Sequence, residues 1–396
     1  MTTHRGSLHV AACGAMFIYA VSVVAMPVCL LQMREDLGFQ LTGGGALETG
    51  RTALLLAMLL ISGWVAMRWG KVQPLAIGLY VTAAGLAMLS QCHAYTTAMA
   101  CIMFVGAGSG LVEALVNPLV QDLHPKDAGR YLNITNAFFS FGVMGGTLLM
   151  GEALTQGATW RAIMLALAVA SLCCGLLFTS SRKAALPASA HSAGHIAAIL
   201  LRRRFWFFGV AMVCAGATEA AYTFWSASYV QLHFDQLPRA GAAATALFAG
   251  AMAFGRLASG KAAHYVPLPR IILASALLGA VVAVMPPFVE SVWMFYLSLV
   301  LAGLSVACFW PTIQAHAAAT MDVDSTLLFI FLSCLGIPGY GLISLVMGII
   351  GDAAGLQWSF WVVPALFLLL AAGMIGAEKT RVPAKAREHR ESRLVN

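Results

Sequence analysis

The sequence alternates between long apolar stretches and short polar ones. Six apolar stretches lie at about 8–33, 42–67, 73–91, 96–119, 130–153 and 161–180, and six more lie at about 205–232, 240–263, 270–288, 293–317, 326–350 and 358–377. Each is close to or longer than the roughly 20 residues that an α-helix needs to cross a bilayer. The pattern predicts an all-α membrane protein with twelve transmembrane helices.

Polar regions divide this pattern into four parts. We predict a first six-helix bundle over residues 1–180, a cytoplasmic linker over 181–204, a second six-helix bundle over 205–378 and a basic cytoplasmic tail over 379–396. The first apolar stretch is longer than the core of a cleaved signal peptide, and no small-residue cleavage site follows it. We therefore predict an uncleaved first span.

Composition excludes the soluble classes of protein. Hydrophobic residues make up 60% of the 396 residues and charged residues only 10%, whereas a soluble domain has about 25% charged residues. The nine cysteines show no metal-ligand spacing with one another or with histidine. Because no phosphate-binding loop or catalytic triad spacing is present either, we expect no enzyme, no metal site and no cofactor.

The positive charges predict the topology. In membrane proteins, Lys and Arg concentrate in the short loops on the cytoplasmic side. With a cytoplasmic N-terminus, the inner segments contain 18 of the 23 Lys and Arg residues, and the outer loops contain only Arg34, Arg51, Arg161 and Arg239. We predict a multi-pass protein of the cell (inner) membrane with both termini cytoplasmic. The net charge of +7 then reflects topology, and no nucleic-acid partner is expected.

The two halves of the chain resemble each other. A shift of about 195 residues places Gly110–Gln121 over Gly303–Gln314, in the fourth and tenth apolar stretches, and Phe138–Ser140 over Phe331–Ser333 in the stretches that follow. Internal repeats of this kind are typical of transporters. The repeat predicts that the two six-helix bundles are related by pseudo-symmetry.

The loop between the second and third spans resembles the signature of the major facilitator superfamily, G-x-L-A-D-R-x-G-R/K. Its matching positions are Gly63, Ala66, Arg68, Gly70 and Lys71, with Met67 in the acidic position. The resemblance implies the major facilitator fold and a gating role for Gly63, Arg68, Gly70 and Lys71. Arg256 lies between glycines in the eighth span, as in many facilitators, and the same resemblance implies a gating role for it.

A narrower resemblance covers residues 106–146. The segments Glu113–Pro118, Arg130–Asn133 and Phe138–Gly142 are similar to the fucose-galactose-glucose:proton symporter group. This resemblance implies proton-coupled transport of a sugar, with Glu113 in the place of the fourth-span glutamate that is implicated in proton coupling and sugar recognition. The first-span aspartate of those permeases has no counterpart in Val21–Leu31.

Two carboxyl groups lie deep within predicted spans. Because an ionised side chain at the bilayer centre costs at least about 2.5 kcal/mol, Glu113 and Glu219 are candidates for proton coupling. Burial disfavours the charged form of a carboxyl, so we expect Glu113 to take up a proton from the outer side and release it inward. Glu219 could instead form an ion pair with Arg256, and Arg256 could bind an anionic substrate.

Polar and aromatic side chains at helical spacing form the candidate substrate site. Glu113, Asn117 and Gln121 recur at intervals of four and therefore share one helix face. Trp310 occupies the position of Asn117 in the repeat. The alternatives are hydrogen-bonded helix contacts for the amides and a core position for the tryptophan. The full set is Asn117, Gln121, Asn133, Asn136, Tyr222, Trp225, Trp310 and Gln314.

These features predict a monomeric secondary active transporter that works by alternating access. The first hypothesis is proton-coupled symport of a small polar solute, a sugar or a related compound, with Glu113 as the coupling carboxyl. Sodium in place of protons stays open. The alternative is a proton-antiporting exporter of organic or drug-like solutes, which the absence of a first-span acid and the aromatic residues favour. The expected partners are the small-molecule substrate, protons and the lipid bilayer.

Overall fold

The computed structural model describes residues 2–125, 127–180, 199–321, 323 and 325–380. Residues 181–198 of the predicted linker and residues 381–396 of the predicted tail lie outside the described part, so the predicted domain boundaries stay predictions. The described residues form helices joined by short turns, without a β-strand.

Twelve helical units are long and apolar enough to cross a membrane, which confirms the predicted fold class. We number them as spans 1 to 12. Span 10 is broken at Ala307 and Cys308, and span 12 is broken at Phe360 and Trp361. The spans are formed by helices Thr2–Leu37, Leu41–Trp69, Val72–Leu89, Tyr95–Leu123, Ala128–Thr155, Trp160–Ser180, Arg203–His233, Pro238–Ala262, Leu268–Val282, Val292–Val306 with Phe309–Thr320, Ser325–Ala354, and Leu356–Ser359 with Val362–Lys379.

One cation predicted to lie in an outer loop is buried within a span. Arg51, assigned to a loop by the charge count, is part of span 2, and its side chain is only 3% exposed. Glu48, one turn earlier, pairs with it and neutralises its charge. A charge can be buried when it is paired and hydrogen-bonded, so the assignment of Arg51 to a loop is wrong.

The sequence repeat is visible in the helix packing. Spans 1 and 5, 2 and 4, and 3 and 6 pack together in the first half, and the equivalent spans 7 and 11, 8 and 10, and 9 and 12 pack together in the second. Between the halves, span 2 packs on span 11, span 5 on span 8, and span 1 on span 7. Each half is thus a bundle of its own, and a few helix pairs join the two.

Equivalent glycines allow a close helix crossing within each half. A Cβ on Gly110 would lie 2.5 Å from the carbonyl oxygen of Leu55. A Cβ on Gly303 would lie 2.5 Å from the carbonyl oxygen of Phe248. Small residues let membrane helices approach closely, so these two positions hold span 4 on span 2 and span 10 on span 8.

One end of the molecule is closed by contacts between the halves. The Asp352 carboxylate, near the end of span 11, accepts hydrogen bonds from the backbone N–H groups of Leu41 (2.9 Å) and Thr42 (2.7 Å) and from the Thr42 hydroxyl (2.6 Å). These N–H groups belong to the first turn of span 2, where a helix has unpaired donors and a positive dipole end. Asp352 therefore caps a helix of the other half. We call this the sealed end.

The same end has further contacts between the halves. The Thr49 hydroxyl donates to the carbonyl of Gly341 at 2.8 Å, and the Arg239 N–H donates to the Thr155 hydroxyl at 2.9 Å. At the opposite end, which we call the open end, Trp64 of span 2 is 58% exposed and Leu257 of span 8 is 76% exposed. The hydrogen bonds that join described residues of the two halves all lie at the sealed end.

The cap formed by Asp352 predicts a change in the balance of conformations. The variant Asp352→Asn should raise the ratio of separated to closed sealed ends roughly tenfold, which is about 1.4 kcal/mol and close to the lower end of the range for hydrogen bonds to a charged group. Spin labels on Gln40→Cys and Gln236→Cys, with the exposed Cys173 replaced by serine, would report this as longer distances. Glu290→Gln, which removes another exposed acid at this end, is the control. Identical distance distributions in Asp352→Asn and the parent would contradict the capping role.

Candidate substrate and proton site

Glu113 faces the region between the halves from the middle of span 4. Its side chain is partly exposed, and the Tyr19 hydroxyl of span 1 and the Glu219 carboxyl of span 7 lie near it. Among the described side chains, no Lys, Arg or His forms an ion pair with Glu113. A proton on this carboxyl would therefore remove a charge that no described cation balances.

Glu219 is the acid of the second half at this level. Its Oε2 lies 3.9 Å from Nη2 of Arg256, and the two side chains are 17% and 35% exposed. The structure thus brings together the two residues for which the sequence leaves an ion pair open. Because the pair is long and partly solvated, its attraction is weak.

Trp310 stands beside Glu219 on the second-half wall. Its indole N–H lies near the carboxyl without a hydrogen bond of good geometry. A Cβ on Gly336 of span 11 would lie 2.9 Å from Cζ2 of this indole. The absence of a side chain at Gly336 is therefore what allows the ring to lie here.

The candidate amides connect neighbouring helices within each half. Nδ2 of Asn136 donates to Oδ1 of Asn117 at 3.4 Å, and Nε2 of Gln314 donates to the hydroxyl of Ser333 at 2.9 Å. The first bond joins spans 4 and 5, and the second joins spans 10 and 11. Asn133, Asn136 and Gln121 are nevertheless exposed. These amides can therefore serve as helix contacts, as substrate contacts or as both, and their substrate role stays a prediction.

Tyr222 and Trp225, predicted to contact the substrate, are packed in the core of the second half. Both are buried, at 1% and 0% exposure, and the Tyr222 ring packs 5.3 Å from Phe248 and 5.9 Å from Phe360. In a helix of 3.6 residues per turn, a step of six residues turns the side chain about 120° away. Trp225 therefore points away from the face that carries Glu219, and neither ring lines the site in this structure.

Sequence reasoning also missed an ion pair beside this site. Nε and Nη2 of Arg51 donate to the two carboxylate oxygens of Glu48 at 2.9 and 2.5 Å, and the side chains are 3% and 1% exposed. The signal was present, because an acid and a base three residues apart in a predicted span can pair on one helix face. Within the described ranges, no group of three or more His, Cys, Asp or Glu side chains could hold a metal ion.

Comparison with known proteins identifies the family. The sequence profile of the Major Facilitator Superfamily matches residues 11–286 and 236–395. The chain belongs to the Major Facilitator Superfamily. Membership indicates a membrane transporter for small molecules, a class that is normally not enzymatic. No curated protein matches the sequence at a significant level.

Solved structures of other superfamily transporters share the fold. A bacterial homologue of the human lysosomal transporter Spinster, inward-facing and occupied, gives a TM-score of 0.84 at 13% identity, over 96% of this chain and 99% of that chain. The nucleoside transporter NupG gives 0.79 at 12% identity, over 95% and 99%. The E. coli fucose:proton symporter FucP gives 0.62 at 18% identity, over 95% and 98%. At these identities the likeness shows the fold alone.

The superfamily signature lies at the open end. Nζ of Lys71 lies 2.5 Å from Oδ2 of Asp122 at the end of span 4, a partner that the signature does not contain. Gly70 ends span 2 with φ +72°, a conformation that favours glycine. Arg68 is exposed and lies over the Trp64 ring, and Gly63 has no neighbour within 4 Å of an added Cβ. The gating role of these residues and of Arg256 stays a prediction.

The contact of Gly336 with Trp310 generates a test of the second-half wall. Gly336→Ala should displace the indole and lower the stability by about 1–3 kcal/mol, the usual cost of overpacking. Thermal unfolding of purified protein measures this as a lower Tm. Gly145→Ala is the matched control, because a Cβ there meets nothing within 4 Å. Equal Tm values for the two variants would show that Gly336 does not determine the position of Trp310.

Proposed function

We propose that the protein is a secondary transporter of a small polar solute, coupled to protons through Glu113. The supporting observation is the difference between three acids of the core. Glu48 is held by two hydrogen bonds from Arg51, Glu219 faces Arg256 at 3.9 Å, and Glu113 has a neutral tyrosine hydroxyl nearby and no ion pair with a described cation. Of these acids, Glu113 is the one whose negative charge no described cation balances, so a proton is what would neutralise it.

The conformation supports a mechanism of alternating access. With both termini in the cytoplasm, as the charge distribution predicts, the sealed end is the outer one and the structure faces inward. The TM-score is also higher for the inward-facing Spinster homologue, at 0.84, than for the outward conformation of FucP, at 0.63. In this state Glu113 would release its proton to the cytoplasm. Once the sealed end has opened, Glu113 would take up a proton from the outer side and become neutral again.

The side chains around Glu113 support a hydroxylated solute. Gln121, Asn133 and Asn136 offer exposed amides on the first-half wall, and Trp310 offers an aromatic face on the other wall. NupG and FucP, which share the fold, are a nucleoside transporter and a fucose:proton symporter. Tyr222 and Trp225 each have a buried polar atom without a hydrogen-bond partner in the described protein. Such atoms are costly to bury, and the substrate role of both residues stays a prediction.

The solute class is tested first by thermal shift on purified protein. The ligands are L-fucose, D-glucose, uridine, citrate and tetraphenylphosphonium. We expect stabilisation by a sugar or the nucleoside. Stabilisation by tetraphenylphosphonium alone would overturn this solute class and favour the proton-antiporting exporter.

The coupling role of Glu113 is tested with the stabilising solute. In proteoliposomes, Glu113→Gln should abolish accumulation driven by a proton gradient but retain solute exchange at equal concentrations, because the fixed neutral side chain still permits the loaded carrier to reorient. Glu152→Gln, which changes an exposed acid of span 5, should accumulate solute as the parent does. Uphill transport by Glu113→Gln would contradict the proposal. A sodium gradient imposed at constant pH distinguishes the two coupling ions.

A further inference from the structure

Two buried cysteines of the first half lie side by side. Cys92 is in the turn between spans 3 and 4, Cys101 is in the second turn of span 4, and their sulfur atoms are 3.6 Å apart. All nine cysteines belong to the described part of the chain, and no other two of them form a sulfur–sulfur hydrogen-bond contact there. Neither thiol has a part in the transport cycle described above.

The pair lies at the sealed end. The hydroxyl of Tyr95, the first residue of span 4, donates to the carbonyl of Gly43 at 3.0 Å. Gly43 belongs to the first turn of span 2, next to the groups that Asp352 caps. With both termini in the cytoplasm, as the charge distribution predicts, this end faces the outside of the cell membrane. Disulfide bonds form and persist in such oxidising surroundings.

The two sulfur atoms are close enough to bond after a small movement. A disulfide bond is about 2.05 Å long, so the sulfurs need to approach by about 1.5 Å, which is within the reach of side-chain rotation. Cys92 lies in a turn between the exposed residues Gln91 and His93, where a small displacement opens its thiol to an oxidant. The two cysteines are only 6% and 9% exposed, so the bond, once formed, is shielded from reductants.

We propose that Cys92 and Cys101 form a disulfide bond on the outer side of the membrane and that this bond fixes the turn between spans 3 and 4. The inference goes beyond the proposed function, because it depends neither on the solute nor on Glu113. It rests on the predicted orientation of the chain.

The reaction is a thiol–disulfide exchange with a disulfide-bearing compound or protein of the outer side. The Cys92 thiol loses its proton, and its sulfur attacks one sulfur of the oxidant, which releases the other as a thiol. The Cys101 sulfur, also after loss of its proton, then attacks the Cys92 sulfur of the mixed disulfide and releases the second thiol. Two cysteine thiols are thus oxidised, one disulfide is reduced to two thiols, and the released sulfurs take up the two protons.

The turn that contains Cys92 joins three spans of the first half. Its carbonyl accepts a hydrogen bond from Nη2 of Arg161 in span 6 at 3.0 Å. Arg161 also forms an ion pair with Asp36 at the end of span 1 and lies over the Trp160 ring at 4.4 Å. A covalent bond from Cys92 to span 4 therefore fixes the acceptor through which spans 1 and 6 contact this turn.

Mass spectrometry of the chain from its native membrane tests the bond directly and needs no variant. The cells are quenched with acid and denatured in the presence of N-ethylmaleimide, so that every free thiol is alkylated and none oxidises afterwards. We expect Cys92 and Cys101 to be joined in one species that is lighter by two hydrogen atoms, and to take the label only after reduction. Alkylation of both cysteines without prior reduction would overturn the proposal.

Thermal unfolding of the purified protein tests what the bond does. Reduction, verified by the same label, should lower the Tm of the parent by a few degrees, the order expected for a closed loop between cysteines nine positions apart. Cys92→Ala should have the same Tm with and without reductant. Cys214→Ala, which removes a buried cysteine of the second half, should respond to reductant as the parent does. An unchanged Tm of the reduced parent would contradict the fixing of the turn.

Discussion

The cost of charge away from water is the constraint on which the rest of the structure depends. Few ionisable groups lie inside this chain, and each is handled in a different way. Arg51 binds both oxygens of Glu48, Arg256 stands farther from Glu219, and Glu113 has a neutral hydroxyl near it and no ion pair with a described cation. The charge of Glu48 is fixed by its partner, whereas a proton can neutralise Glu113. A coupling carboxyl needs this second property.

The architecture places these three acids between two tightly packed bundles. Within each half, glycines such as Gly110 and Gly303 bring backbones into contact, and such packing resists deformation. Between the halves, the hydrogen bonds of the described residues are few, and Asp352 accepts three of them at an exposed position. Rocking of one bundle against the other would therefore break a few exchangeable polar contacts and leave the cores intact.

The fold was predictable because it depends on local properties of the sequence. Apolar stretches of about 20 residues specify spans, and the repeat specifies two similar bundles. The site was only partly predictable. The charge count misplaced Arg51, because a cation inside a span depends on its partner. Helical spacing could not separate Tyr222 and Trp225 from the core, since it does not say which face turns inward. The cap by Asp352 joins residues about 310 positions apart, and no local pattern reveals it.

The central claim is that protonation of Glu113 sets the balance between the two conformations of the carrier. The most direct measurement is the distance across the sealed end, from spin labels at Gln40 and Gln236 in lipid nanodiscs, as a function of pH. The account predicts a distance distribution that changes with pH in the parent and is independent of pH in Glu113→Gln. The same pH response in both proteins would contradict it.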